Sequence, residues 1–139
     1  MALNYQYLDD LGLLSIHWEG RLTLGDLASA FETLSADPTV RSAQISLSDF
    51  SAVESMSIFH FGLDMLREVI GDETRVPLED RPHHSAIFID DRRVLSELVN
   101  FATMLNRIPH LHVKVFEDKA EAIAWLGLPP EAIGRVDPS

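Results

Sequence analysis

Acids at three places in this chain have the spacing to act together. Asp49 follows the run AQISLS, Asp90-Asp91 follow SAIFI, and Glu117-Asp118 follow LHVKVF. In a parallel sheet those run ends lie at one edge, the edge where open α/β folds bind ligands. Oxygens of Asp49, Asp90 and Asp118 gathered there suit Mg²⁺, and with it a Mg²⁺-dependent phosphate-handling reaction. The same acids have a plainer use. Each precedes a helical pattern, where a carboxylate accepts from free backbone N–H groups and opposes the positive end of the dipole. Capping accounts for all of them without an ion.

The second candidate is the serine-rich stretch DFSAVESMSIFHFG, Asp49 to Gly62. Ser51, Ser55 and Ser57 have the chemistry of turn and cap residues. Ser57 is also a candidate phosphoacceptor, because a phosphate is electrostatically welcome at a helix N-terminus. No Gly-x-Ser-x-Gly elbow surrounds these serines, so none reads as a nucleophile. His83-His84 and His110-x-His112 could bring imidazoles together at neighbouring strand starts, as zinc would need, but with no HExxH spacing and no thiolate they read as ordinary surface histidines. His17 reads as an ordinary surface residue of a strand, and Trp18 and Trp125 as packing residues. There is no cysteine, which removes disulfides, thiolate ligands and thiol nucleophiles.

Composition narrows the partners. With 11 basic and 22 acidic residues the net charge is −11, a surface that repels nucleic acid and anionic membranes. MALNYQYLDD has neither a basic n-region nor an apolar h-region, and no apolar run approaches bilayer length. The expectation is a cytoplasmic protein with no membrane insertion. Its 139 residues, 46% of them hydrophobic, suit one domain spanning 1–139, with a loosely packed tail after 130.

Periodicity supplies the elements that must hold these residues. NYQYL and LLSIHW flank Asp9-Asp10-Leu11-Gly12, the pattern of a hairpin. TLGDLASAFETL has helical spacing, with Thr23 and Asp26 placed to cap it. AQISLSDF alternates as a strand. SIFHFGLDMLREVIG follows as a second helix, apolar round much of its circumference, as a helix buried on two sides would be. DETRVPLEDRPHH is a connection, SAIFID a buried strand, and RRVLSELVNFATMLNR a third helix. LHVKVF is a strand and DKAEAIAWLG a fourth helix, capped by Asp118. Strands alternating with helices imply right-handed crossovers. The fold class is therefore α/β: a mostly parallel sheet of about five strands, an antiparallel N-terminal edge hairpin, and four helices.

That order resembles the STAS superfamily, specifically its SpoIIAA-like branch of small bacterial proteins. Two stretches carry the resemblance. VKVFEDKAEAIAWLG (Val113 to Gly127) is a strand, an acidic cap and an Ala-rich helix ending in Trp-Leu, and GRLTLGDL (Gly20 to Leu27) opens the first helix. The likeness extends over about Tyr5 to Leu128. In the superfamily's anti-sigma-factor antagonists a serine at the start of a helix is phosphorylated, and DFSAVESMSIFHF is the matching region. Asp49, Ser51 and Val53 fit its pattern. Where the family has Asp-Ser-Ser, this chain has Ser57-Ile58-Phe59, so the acceptor position falls on Ile58, which has no hydroxyl. Some STAS-like folds also resemble CRAL-TRIO lipid-binding domains. By that likeness Phe59, Phe61, Met65, Phe101 and Met104 become candidates for an apolar ligand site or a dimer contact. The resemblance implies a non-catalytic regulatory or interaction domain without a cofactor, a homodimer that meets a protein partner or a small apolar ligand.

Overall fold

The first hairpin closes where the sequence places it. β1 (Ala2–Leu8) pairs antiparallel with β2 (Leu13–Thr23), Tyr5 opposite Ile16. The turn is held by Leu11 N–H on the Leu8 carbonyl, and Gly12 takes a positive φ of 63° that a side chain would resist. The computed structural model describes residues 2–38, 43–57, 83–90, 92–107 and 111–136.

β2 leads directly into α1 (Leu24–Ser35). Thr23 and Asp26 form a reciprocal cap there. The Thr23 N–H donates to Asp26 Oδ2 at 3.0 Å, and the Asp26 N–H donates to Thr23 Oγ1 at 3.2 Å. After α1 come β3 (Ile45–Ser57), β4 (His83–Phe88), α2 (Leu95–Leu105), β5 (Leu111–Phe116) and α3 (Lys119–Trp125). A short 3₁₀ turn over Pro130–Ala132 and α4 (Ile133–Val136) are the last described elements. The five strands form one sheet in the order β1-β2-β3-β4-β5, with every pair after the first parallel. This is the expected α/β architecture, and three of the four expected helices are α1, α2 and α3. The second, Ile58 to Ile70, lies outside the described residues.

Strand alternation sorts the core into two layers. Leu14, Ile16 and Trp18 of β2, Phe50 of β3, Ile87 of β4 and Val113 of β5 face one way, and Leu98, Phe101 and Leu105 of α2 join their cluster. Leu13, Leu47, Ala86, Phe88 and Phe116 face the other way and pack with Ala122 and Ile123 of α3. Asn106, just past α2, protects the outer edge of β5. Its Nδ2 donates to the Val113 carbonyl at 2.9 Å, and its Oδ1 accepts the Val113 N–H at 2.7 Å. A side-chain amide thus stands in for the missing sixth strand.

Three expectations need correction. Ser51 and Ser55 belong to strand β3 and are not turn residues. The β2–β3 pairing runs on to Thr23 opposite Ser57, through register shifts between His17 and Glu19 and between Gly20 and Arg21. Gly20, with φ 85°, accommodates the second. As far as it is described, to Val136, the tail after 130 is packed rather than loose: Ala132 and Val136 are buried in the second layer, and Val136 is 1% exposed. His17 is in turn no surface residue, because that tail lies over it.

Candidate functional site

Asp49 is the best-connected acid of the sheet. It sits within β3, level with Phe88 at the end of β4, and opposite His17 of β2. Its carboxylate accepts the Ser51 N–H at 2.9 Å and the Lys119 ammonium at 3.3 Å. Lys119 starts α3 and reaches Asp49 across β4, its Nζ lying 4.9 Å from the centre of the Phe88 ring. Both side chains are largely withdrawn from water, Asp49 at 12% exposure and Lys119 at 14%. Burial works against the charged carboxylate. The Ser51 N–H and the Lys119 ammonium outweigh it, and Asp49 titrates below the ordinary carboxylate range.

His17 completes the group. Its Nε2 lies 2.9 Å from the Val136 carbonyl, which can only accept, so the proton is on Nε2. Nδ1 then faces Asp49 Oδ2 at 3.7 Å, beyond hydrogen-bond reach. The turn that supplies Val136 is fastened from outside by Arg135, whose guanidinium grips Asp10 with two bonds of 2.7 and 2.9 Å. Gln6 donates to the Arg135 carbonyl at 3.4 Å. The arrangement sets one charge pair beside an imidazole that the C-terminal turn holds, with His17 Nδ1 and the buried Ser51 Oγ left without hydrogen-bond partners among the described residues.

The other acids expected beside Asp49 are differently employed. Asp118 is the N-cap of α3, its Oδ1 accepting the Ala120 N–H at 2.8 Å. Asp90 is exposed just past β4, and Glu117 pairs with Arg92 at 3.1 Å on the surface. Among the described residues no three of His, Asp and Glu stand close enough to hold an ion. Ser57 ends β3 opposite Thr23. Phe101 is a core residue and Met104 packs against the same cluster, while Phe59, Phe61 and Met65 lie outside the described residues.

Two polar groupings escaped the sequence reading. The Asp49–Lys119–His17 group depends on the register of β2 on β3 and on a lysine whose only local mark is to follow a cap residue. The second lies on the opposite face at the strand starts. Ser46 Oγ is 2.9 Å from Ser85 Oγ and 3.2 Å from His83 Nε2, inside an otherwise apolar layer. Burial there pushes the His83 imidazole down to about 4, against a hydrogen bond to the Ala43 backbone that favours the charged form. Two of the histidines do meet: His84 and His112 are directly opposite across β4 and β5, their rings stacked 4.8 Å apart.

No family model and no curated protein sequence matches this chain. Among solved structures, it is similar to an uncharacterized protein of the DUF3478 family with a SpoIIAA-like fold from Shewanella loihica PV-4. That likeness has 20% identity over 90% of this chain and 92% of the other, with a TM-score of 0.52. It is also similar to the anti-sigma factor antagonist SpoIIAA in its unphosphorylated form, with 9% identity over 91% and 98% of the two chains and a TM-score of 0.49. The first likeness shows that the chain has the SpoIIAA-like fold.

Proposed function

We propose that this SpoIIAA-like chain is a non-catalytic regulatory or interaction domain, working in the cytoplasm as a homodimer through protein contacts or a bound small apolar ligand. The observation that carries the reading is the condition of Asp49. At the sheet edge where an α/β enzyme would hold its substrate, this carboxylate is already committed to Lys119 and to the Ser51 N–H. A buried charge pair with its bonds made inside the protein fixes structure and leaves little to offer a ligand. The contact surface then falls to the rest of the domain. By sequence its strongest candidate is the apolar stretch Ile58 to Ile70, with Ile58 at the position where the family's acceptor serine stands. Among the described residues no helix is long and apolar enough to cross a membrane.

Sedimentation velocity at micromolar concentration is expected to give a dimer. Native mass spectrometry of protein purified from its own host is expected to show either a bound small apolar molecule or a co-purifying protein at defined stoichiometry. A clean monomer with an empty mass spectrum overturns the proposal.

A further inference from the structure

The histidines on the far end of the same sheet face carry a separate inference. His84 and His112 stand opposite each other in the parallel register of β4 on β5, so both side chains leave the sheet on one side. Their rings are 4.8 Å apart between centroids and inclined by only 21°. His112 is exposed and His84 half-buried, the latter meeting Trp125 edge-on at 5.4 Å. Two imidazoles presented side by side from paired strands become a bidentate donor set when the exposed His112 ring turns out of the stack, and neither strand has to move for that. Zinc–nitrogen bonds of about 2.0–2.1 Å in a tetrahedral site put two ring nitrogens about 3.3 Å apart with both ring planes directed at the ion, so binding rotates the exposed His112 ring off its stack on His84.

We infer that His84 and His112 form a surface site for a divalent transition metal, with Cu²⁺ preferred over Ni²⁺ and Zn²⁺. Imidazole donors select these ions over Mg²⁺ or Ca²⁺, and the order among them follows the Irving–Williams series. With no third His, Asp or Glu at hand among the described residues, the remaining coordination positions belong to water, which makes the site open and exchangeable. The net charge of −11 favours cations near the surface. Lys114, two residues beyond His112 on the same face, opposes this, but its ammonium lies over the Phe116 ring at 5.2 Å. The site is distinct from Asp49, which lies at the other end of these strands.

Trp125 supplies the readout. Titration of the full chain with CuSO₄, in excess Mg²⁺ to occupy scattered carboxylates, is expected to quench tryptophan fluorescence with saturation at one equivalent. Substitution Trp125→Phe removes most of that quenching, because Trp18 is buried in the layer on the opposite side of the sheet. Substitution His112→Ala, at an exposed position, is expected to raise the midpoint about tenfold or more, since even outer-shell partners of metal ligands are worth about 10–100-fold in affinity. Zn²⁺ followed by imidazole NMR should move the His84 and His112 resonances first. Quenching that does not saturate, or a midpoint that His112→Ala leaves unchanged, overturns the site. Either result bears on this pair alone, since the proposed interaction function does not use it.

Discussion

Replacing Asp49 by Asn tests whether its pairing with Lys119 is structural. The amide keeps the shape and an oxygen for the Ser51 N–H, so the perturbation is confined to charge. Lys119, 14% exposed, loses this carboxylate 3.3 Å away. Breaking a buried ion pair by removing one partner costs about 3–5 kcal/mol, and the residual exposure here puts the expected loss at about 2–3 kcal/mol. The pH dependence fixes the sign independently. Asp49 is depressed below its unfolded value, so its contribution is fully present above the unfolded carboxylate pKa of about 3.9. It is lost as pH falls through the lower folded value. Urea denaturation of wild type and Asp49→Asn should therefore differ most at pH 7, and the two curves should converge toward pH 3 and below. A variant within about 0.5 kcal/mol of wild type at pH 7 would refute the structural role. So would a difference that persists undiminished in acid. Either would return Asp49 to the list of groups available to a ligand.

Other parts of the fold give narrower tests. His83 should titrate near pH 4 by NMR, with stability lost as pH falls from 6.5 toward that value, because the unfolded chain binds the proton first. The full effect is roughly 3 kcal/mol at about 1.4 kcal/mol for each pH unit, and a midpoint between 6 and 7 would contradict the burial argument. Asn106→Ala removes both bonds to Val113 and should cost about 1–2 kcal/mol in urea denaturation, with faster amide exchange at Val113. Val136→Ala should cost about 2 kcal/mol in urea denaturation by emptying a buried site, while the His17 Nε2 bond, which runs to the backbone carbonyl, is kept. A tail that tolerates Val136→Ala without change would be a loose tail after all.

How far the sequence could be read depended on the range of the interactions involved. Periodicity and caps are local, and they placed β1, the start of β2, α1, α2, β5 and α3, down to the paired bonds of Thr23 with Asp26. The run Ser51 to Ser57 failed because serines suit a turn as well as an extended chain. What keeps it extended is pairing with Gly20 to Thr23 across two register shifts, which no window of one strand contains. Asp49 failed in a more instructive way. It was legible as an acid near a sheet edge, but its role depends on three residues distant in sequence. His17 arrives by strand register, Lys119 by the crossover through α2, and Val136 by a C-terminal turn with two consecutive prolines before it. Each looked ordinary where it stood: a surface histidine, a lysine after a cap, a valine in a tail. The same logic separates the two candidate sites. Asp49 became less available once its long-range partners were known, whereas the His84–His112 pair became more specific, because register alone determines whether those two rings meet.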